Sequence, residues 1–362
     1  MVDFAWELPT RGDSRHVGAA PRHRGGWGPG PSSAVATDIR PGRFGPFDAL
    51  DQIIAAVEIT GYDGLIAPYD PGGEESWIVA GNALRHTRHT RVGVEFHPGF
   101  GTPVYATKLS ATLQRLSGDR LDWHLIVDTT DADDRSRGDG LSTPDKYRRA
   151  DEFLAVAKGV WTGAGTRGGG SAGGEFNHAG RFYDVIDGGL DEAVDGHRFP
   201  TVYISGASEA ALDLSGRHGD VHLFELPPDA SPPPVTELSE RAHAFGRVVR
   251  AGLRLPVIAR VNAGEAWARL RRQWGEAFPD HAERDLESGR IDDLTFTGFQ
   301  HLGHRASVGL VGSYEAVAQR ISELSDSGVE VFVLSGVPHL EELHRNAEHL
   351  LYRADRNSRV LA

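Results

Sequence analysis

The sequence of 362 residues contains no cysteine, one methionine and only three lysines among its 38 basic residues. Without cysteine the chain has no disulfide framework, no Cys-ligated zinc or iron–sulfur site and no thiol nucleophile. Its 17 histidines show no HExxH spacing, so we predict no metal site. No apolar run reaches the roughly 18 residues of a membrane-spanning helix, and the first residues lack the apolar core of a signal peptide. We therefore expect a soluble, cytoplasmic protein.

Acidic residues outnumber basic ones, 51 against 38, which gives a formal net charge of −13. A general nucleic-acid binder needs a basic face that neutralises phosphates, so this charge argues against such a partner. The hydrophobic share of 39% is typical of a globular protein rather than a disordered one. We expect neither nucleic acid nor a membrane as a partner.

Short apolar runs alternate with amphipathic segments along the chain, a pattern typical of βαβ units and a parallel sheet. Eight runs have the pattern of strands: Val2–Leu8, Gly64–Pro68, Arg91–Phe96, Leu121–Val127, Thr201–Ser205, Asp220–Phe224, Leu253–Val261 and Val329–Leu334. Eight such repeats predict an α/β fold, a closed (β/α)8 TIM barrel of about 250 residues with insertions. A doubly wound open sheet is the alternative, and the absence of a dinucleotide fingerprint after the first strand disfavours it.

Two segments show clear helical periodicity. Asp48–Thr60 places its apolar residues on one face and is followed by Gly61, which is a stop signal. Tyr314–Asp326 has the same pattern, with Ser313 as the predicted N-cap and Gly328 as the stop. Both segments are therefore predicted to be helices that cover the sheet.

We expect one barrel domain over residues 1–362, interrupted by insertions near residues 19–46, 163–185 and 278–309. The second insertion begins with a run of small residues, predicted to be a flexible tether, and continues into a hairpin-like segment around Ala179–Gly180. Long irregular segments in compact domains are usually mobile lids or disordered connectors. The third is the better lid candidate, because it carries His301, His304 and Arg305 close to the eighth strand.

The turn from the fifth predicted strand into the next helix is the sharpest signal in the sequence. Ser205, Gly206, Ala207 and Ser208 directly precede a helix predicted to open at Glu209. Small residues at a helix N-terminus expose backbone N–H groups, and the helix dipole favours an anion there. Two interpretations stay open, an anion site and a plain N-cap by Ser208.

Five collinear segments resemble the bacterial luciferase-like flavin monooxygenases, and within them the alkanesulfonate monooxygenase branch. The segments are LDWHLIVDTTD, GDGLSTPDKYRRADEFLAVAKGVWTG, FNHAGRFYDV, TVYISGASEAALDLSGRHGDVHLFELPP and VFVLSGVPHLEEL. A collinear set of this kind is more specific than any single motif. The resemblance covers about Phe4 to Leu350 and implies a (β/α)8 barrel that takes reduced FMN from a separate reductase and uses O2 to oxygenate a small substrate.

The resemblance also implies a position for the cofactor phosphate. It would meet the Gly206–Ser208 backbone, the Ser208 hydroxyl and Tyr147. The alternative for Tyr147 is a half-buried aromatic residue on a helix.

The isoalloxazine ring would lie against the ends of the third and fourth strands. The residues that the resemblance places there are His97, Asp128, Thr129 and Thr130. The two threonines are equally compatible with ordinary turn positions.

Three catalytic residues follow from the same resemblance. Arg254 matches an arginine near the sulfonate, where a fixed planar cation suits a tetrahedral anion, and its alternative is a barrel arginine paired with a carboxylate. His339 matches a histidine after the eighth strand, or is a surface residue at a helix N-terminus. Arg305 would stand for an arginine that closes over the substrate, although His301 and His304 compete for that position.

Three positions depart from the sulfonate enzymes. Gly73 stands where they have cysteine, Pro256 where they have histidine, and Val337 where they have tyrosine. Flavin binding is therefore expected to be retained while the substrate end is changed, and an alkanesulfonate is not the expected substrate.

The resemblance predicts a two-component FMN-dependent monooxygenase, an oxidoreductase, with a small organic substrate, an NAD(P)H-dependent flavin reductase as its partner, and a homodimeric or homotetrameric assembly. Two alternatives belong to other classes. One is a deazaflavin-dependent oxidoreductase of the same superfamily, which transfers hydride without O2. The other is a flavin-binding barrel that has lost catalysis.

Overall fold

The computed structural model describes residues 2–12, 46–165, 176–190, 194–278 and 282–355. Within these ranges the strands are β1 (Asp3–Glu7), β2 (Gly64–Ala67), β3 (Arg91–Phe96), β4 (Leu121–Leu125), β5 (Phe176–Ala179), β6 (Asp184–Gly188), β7 (Thr201–Ser205), β8 (Val221–Glu225), β9 (Arg250–Arg260), β10 (Thr295–Thr297), β11 (Val308–Ser313) and β12 (Val329–Ser335).

The α-helices in the same ranges are α1 (Pro46–Ile59), α2 (Ser76–His86), α3 (Pro103–Ser117), α4 (Asp131–Arg137), α5 (Thr143–Gly165), α6 (Glu209–His218), α7 (Val235–Ala244), α8 (Ala263–Ala277), α9 (Ala282–Gly289), α10 (Tyr314–Asp326), α11 (His339–Asn346) and α12 (Tyr352–Ala354). Short 3₁₀ helices span Pro98–Phe100 and Phe299–Leu302, and a π-helical turn spans Ala347–Leu351.

The chain divides into two compact units. The first is drawn from the described parts of Met1–Val79, Phe224–Val235 and Ala251–Ala362, and the second from those of Ala80–Leu223 and Thr236–Arg250. Each has strands with helices packed on them, as the alternating pattern predicts.

The first unit has the strand order β10-β11-β9-β12-β1-β2. Neighbouring strands in this order are parallel, except that β10 and β11 are antiparallel. Phe4 and Phe332 face each other across β1 and β12 with stacked rings 5.8 Å apart, and both are fully buried. Because β1, β9 and β12 run in one direction, Glu7, Arg254 and Ser335 lie toward the same end of this sheet.

The second unit has the parallel order β3-β4-β7-β8, with a separate antiparallel hairpin of β5 and β6. Phe96, Trp123 and Phe153 form its aromatic core, with Phe96 and Trp123 in an edge contact at 5.3 Å. The indole N–H of Trp123 donates to the hydroxyl of Ser110 at 2.7 Å, so the ring is buried without an unsatisfied donor.

The predicted strands and helices are confirmed. All eight predicted strands occur as β1, β2, β3, β4, β7, β8, β9 and β12, with small differences at their ends. Helix α10 begins after Ser313, whose hydroxyl accepts from the N–H of Ala316 at 3.2 Å, and the chain leaves it through Gly328 with φ 104°. A residue other than glycine is strained at such a φ, which explains the stop signal.

The three expected insertions have different outcomes. Residues 19–45 and 166–175 lie outside the described residues, while the hairpin expected around Ala179–Gly180 is present as β5 and β6. The segment 278–309 differs from the expected irregular lid, because it contains α9, β10, a 3₁₀ helix and the start of β11. Its apolar residues explain this: Phe296 and Phe299 are fully buried in a cluster built on α8.

Candidate functional site

The Ser205–Ser208 turn in the second unit has the structure that its sequence predicts. Strand β7 ends at Ser205 and α6 begins at Glu209, with Ser208 as the N-cap. The Ser208 hydroxyl accepts from the N–H of Ala211 at 3.2 Å. Gly206 has φ 139°, and a Cβ there would lie 2.6 Å from Asp128 Oδ2 and 2.8 Å from the Ala211 Cβ. Only glycine fits this backbone position, which brings the chain close to its neighbours.

Tyr147 connects this turn to the end of β4. Its hydroxyl donates to Asp128 Oδ1 at 2.6 Å and lies 3.0 Å from the hydroxyl of Ser208. Burial, and then the Asp128 carboxylate, raise the pKa of the Tyr147 hydroxyl, which therefore stays protonated at neutral pH. The structure thus brings together Tyr147, Gly206 and Ser208, with Asp128 hydrogen-bonded to Tyr147.

His222, on β8, contacts both the turn and α6. The sequence did not predict this residue as part of the site. Its Nε2 lies 3.0 Å from the carbonyl oxygen of Gly206, and its Nδ1 lies 2.7 Å from the hydroxyl of Ser215 on α6. Burial lowers the pKa of His222 to about 4, so the ring is neutral at pH 7. A neutral ring donates from Nε2 to the carbonyl and accepts at Nδ1. The available signal was a lone histidine in the apolar run VHLFE.

The two threonines after β4 serve the local structure. Thr130 is the N-cap of α4 and accepts from the N–H of Asp133 at 3.2 Å. The Thr129 hydroxyl donates to Asp134 Oδ1 at 2.6 Å, and Lys146 forms a buried ion pair with the same carboxylate. This arrangement agrees with the interpretation of both threonines as turn residues.

His97 lies directly after β3 and is buried. Burial, followed by the nearby charges of Arg137 and Arg149, lowers its pKa to about 4. Arg149 is itself paired with Asp139 at 2.5 Å. A neutral imidazole therefore stands among paired charges at the end of β3.

In the first unit, Arg254 on β9 forms an ion pair with Glu7 at the end of β1. Arg254 Nε lies 2.7 Å from Glu7 Oε2, and the two side chains are only 4% and 6% exposed. A second carboxylate, Glu225, lies 3.9 Å from the guanidinium and is half exposed. This is the barrel arginine paired with a carboxylate that the sequence left open as an alternative.

His339 is the first residue of α11 and is buried, with its ring 6.0 Å from that of Trp6 in an edge contact. His304 is also buried, and its Nδ1 lies 2.8 Å from the hydroxyl of Ser335. Burial lowers the pKa of each histidine to about 3, and for His339 the nearby His304 acts in the same direction. The first unit therefore holds two neutral imidazoles at the start of α11 and the end of β12.

Arg305, His301 and His304, the three candidates for one site position in segment 278–309, differ in burial. Arg305 is exposed and donates to the carbonyl oxygen of Tyr69 at 2.5 Å. His301 is exposed and contacts the Trp274 ring edge-on. Only His304 is buried, so it is the residue of the three that lies inside the protein.

The three positions that depart from the sulfonate enzymes are closely packed. A Cβ on Gly73 would lie 3.0 Å from both the backbone and the hydroxyl of Thr10. Pro256 and Val337 are in buried parts of the first unit, and the Val337 carbonyl accepts from the Gln273 amide. Among the described residues, no group of three or more His, Asp or Glu side chains could hold a metal ion.

The turn in the second unit is suited to an anion by its main chain. The first N–H groups of an α-helix have no carbonyl partner one turn earlier, and the positive end of the helix dipole lies there. In α6 the N–H of Ala211 is already satisfied by Ser208. Gly206 adds no side chain of its own to the turn, and Ala207 and Ser208 are exposed. A phosphate group would therefore find backbone donors at this turn, next to the Asp128 carboxylate.

Comparison with known proteins identifies a family and a fold. Residues 19–331 match the family model described as luciferase-like monooxygenase. Among solved structures, an EDTA monooxygenase from Chelativorans sp. BNC1 has a TM-score of 0.72 at 18% identity, over 98% of this chain and 94% of the other. A riboflavin lyase, solved with modified FMN and riboflavin, has a TM-score of 0.68 at 17% identity, over 97% of this chain and 90% of the other. An F420-dependent secondary alcohol dehydrogenase has a TM-score of 0.64 at 14% identity, over 98% of this chain and 99% of the other. This likeness confirms the predicted (β/α)8 barrel fold.

Proposed function

Because the chain belongs to the luciferase-like monooxygenase family, whose model covers residues 19–331, we propose that it is a two-component FMN-dependent monooxygenase acting on a small organic molecule. The family makes the protein a flavin-dependent monooxygenase. The proposal adds FMN as the flavin, an NAD(P)H-dependent flavin reductase as the partner, and a substrate other than an alkanesulfonate. When bound, reduced FMN supplies the electrons with which O2 is activated.

The Ser205–Ser208 turn carries the FMN assignment. The backbone N–H groups at the start of α6 would hold the phosphate, and Ser208 and Tyr147 would line it with hydroxyl groups. The supporting observation is that Ala207 and Ser208 are exposed at the N-terminus of α6, where the main chain turns at Gly206 with φ 139°. A structure with modified FMN among the structural neighbours agrees with this cofactor.

Residues of the first unit would act on the substrate. His339 is neutral and buried, so it can donate one hydrogen bond and accept another without bringing a charge into a dry site. The guanidinium of Arg254, fixed by Glu7, would orient an anionic or strongly polar group. Arg305 is exposed and fastened to the Tyr69 carbonyl, from which it would have to detach to reach a substrate.

F420 is a second candidate cofactor, because F420-dependent enzymes are among the structural neighbours. The two candidates differ in their need for oxygen, since hydride transfer from a deazaflavin consumes none. Anaerobic titration with reduced FMN and with reduced F420 distinguishes them, followed by measurement of O2 uptake during turnover. We expect reduced FMN to bind more tightly than roughly millimolar. Weaker binding of reduced FMN together with tight binding of F420 would refute the FMN proposal.

An untargeted search for labelled products identifies the substrate. The protein is incubated with lysate metabolites, FMN, a flavin reductase, NADH and isotopically labelled O2, and the products are analysed by mass spectrometry. We expect one labelled oxygen atom in a product that is absent when the protein is omitted. The expected homodimer or homotetramer is tested separately by analytical ultracentrifugation.

A further inference from the structure

In the second unit, one carboxylate attaches the hairpin of β5 and β6 to α5. Glu152, on α5, accepts hydrogen bonds from three consecutive backbone N–H groups at the tip of the hairpin, those of Arg181 at 3.2 Å, Phe182 at 3.1 Å and Tyr183 at 2.7 Å. Its side chain is only 13% exposed. Successive N–H groups of this kind form a concave binding site for an anion. Here the protein itself supplies the anion.

The residues of the hairpin tip are fitted to this carboxylate. The N–H of Gly180 donates to the carbonyl oxygen of Tyr183 at 3.0 Å, which closes the turn. A Cβ on Gly180 would collide with Glu152 Oε1, so a larger residue would displace the carboxylate. His178 adds a further contact, with its Nε2 3.3 Å from Glu152 Oε1. These contacts give a structural reason for the residues HAGRFY in the segment FNHAGRFYDV.

Tyr183 connects the hairpin to the end of β3. Its hydroxyl donates to the carbonyl oxygen of Pro98 at 3.1 Å, and its ring packs edge-on against that of the buried Phe153 at 6.0 Å. Burial raises the pKa of the Tyr183 hydroxyl to about 12, so it stays protonated and donates at neutral pH. Pro98 directly follows His97, the buried, neutral imidazole after β3. The hydrogen bond therefore ties the hairpin to the residue next to His97.

In a barrel of this fold, the ligand lies at the carboxyl ends of the strands, and the end of β3 is one of these. Building on the proposed flavin site, we propose that Glu152 is a positioning residue. It holds the β5–β6 hairpin on α5 and, through Tyr183, fixes the segment His97–Phe100 against which the flavin ring binds. Without this clamp the segment is in place in only a fraction of the molecules, and the apparent affinity for the flavin falls by that fraction.

The test uses three matched variants of the full-length protein. Glu152→Gln keeps the size of the side chain, but its NH2 group is a donor that faces the backbone donors of the hairpin. Tyr183→Phe keeps the backbone bond to Glu152 and removes only the hydroxyl that reaches Pro98. The control is Asp145→Asn, which removes a charge from the same helix and breaks a largely exposed ion pair with Arg181 of the same hairpin.

Two measurements separate the clamp from the flavin site. Hydrogen exchange of the hairpin amides, followed by mass spectrometry, shows whether the hairpin is held. Anaerobic titration with reduced FMN and with reduced riboflavin measures binding of the ring with and without the phosphate.

We expect Glu152→Gln to speed exchange of the hairpin amides by about tenfold or more, because a hydrogen bond to a charged group corresponds to a factor of this size. The same variant should weaken both flavins by one common factor of about tenfold, since the effect lies at the ring and not at the phosphate. Tyr183→Phe should weaken both flavins while the hairpin amides keep their protection. Asp145→Asn should change neither readout.

Faster exchange in Glu152→Gln with unchanged flavin affinity would overturn this inference, because the hairpin would then position nothing in the site. Flavin affinity unaffected by Tyr183→Phe would overturn it too. Both results leave flavin binding by the unmodified protein, and so the proposed function, intact. Absence of flavin binding by the unmodified protein would instead overturn the proposed function, and this inference with it. Should Glu152→Gln not fold, Tyr183→Phe decides the question, because it leaves the clamp unchanged.

Discussion

Arg254 Nε, on β9, lies 2.7 Å from Glu7 Oε2, at the end of β1, and both side chains are almost completely buried. Removing one partner of such a pair leaves an uncompensated buried charge, so we expect Arg254→Ala to lower the free energy of unfolding by about 3–5 kcal/mol. Chemical denaturation followed by circular dichroism measures this change.

The matched control for Arg254 removes both charges together. Arg254→Met combined with Glu7→Gln should regain much of the lost stability, because neither charge is then left alone. If Arg254→Ala shifts the melting temperature by only a few degrees and the double variant behaves no better, the pair does not stabilise the fold. Arg254 would then be assigned to substrate binding alone.

Ser208 offers a second test of the phosphate site, because aspartate and serine are equally good N-caps. Ser208→Asp should therefore preserve the stability of α6 while it abolishes FMN binding, since it adds a second carboxylate next to Asp128. Ser208→Ala should have the opposite profile, with a stability loss of about 1 kcal/mol from the missing cap and a smaller effect on FMN. Isothermal titration and thermal melts provide both readouts. Unchanged FMN affinity in Ser208→Asp would show that the phosphate binds elsewhere.

Acid should destabilise the protein well above the pH at which carboxylates titrate. Four buried histidines have lowered pKa values, about 4 for His97 and His222 and about 3 for His304 and His339. Below pH 6.5 the unfolded chain binds protons that the folded protein does not, so stability is full above this pH and falls between about 6.5 and 3. Each histidine contributes up to about 1.4 kcal/mol per pH unit.

The free energy of unfolding, measured by denaturant titration between pH 7.5 and 4.5, tests this dependence. We expect His304→Gln to flatten the slope by up to one proton, whereas the same substitution at the exposed His243 should leave it unchanged. A stability that does not change with pH over this interval would show that the four rings are not neutral and buried.

The sequence predicted the strands and the helix starts because both depend on local patterns. Alternating apolar runs mark β7, and a small-residue turn marks the start of α6. Strand β11 was missed since Val308–Ser313 is a short run beside several glycines, which is also compatible with a loop.

The hydrogen bonds between Tyr147, Asp128 and Ser208 could not be predicted from the sequence, for a physical reason. Tyr147 is 19 residues from Asp128 and 61 from Ser208, and hydrogen bonds over such separations leave no trace in periodicity. Burial of adjacent residues was equally hidden: His304 points inward and Arg305 outward, although both follow the same short helical turn.

Because Gly73, Pro256 and Val337 replace the residues of the sulfonate enzymes, we expect the unmodified protein to release no sulfite from octanesulfonate. Restoring Gly73→Cys, Pro256→His and Val337→Tyr together should create weak desulfonation without loss of FMN binding. It should also cost stability, because a side chain at Gly73 meets Thr10 at 3.0 Å and overpacking typically costs about 1–3 kcal/mol. Sulfite release is measured with a thiol reagent in the presence of FMN, NADH and a flavin reductase. Strong release by the unmodified protein would refute the expectation that sulfonates are not its substrates.

His339 is expected to act on the reaction rather than on the fold. Its buried, neutral ring can place one hydrogen-bond donor in a dry site, where a single aimed donor contributes roughly 3–4 kcal/mol to the transition state. With the substrate found by isotope labelling, His339→Ala should therefore lower kcat/KM by about 10²-fold or more while FMN affinity is kept. The comparison is His304→Ala, which removes the partner of Ser335 and should mainly lower the melting temperature. If His339→Ala instead loses stability and flavin binding together, with kcat/KM of the folded fraction unchanged, His339 belongs to the scaffold at the start of α11.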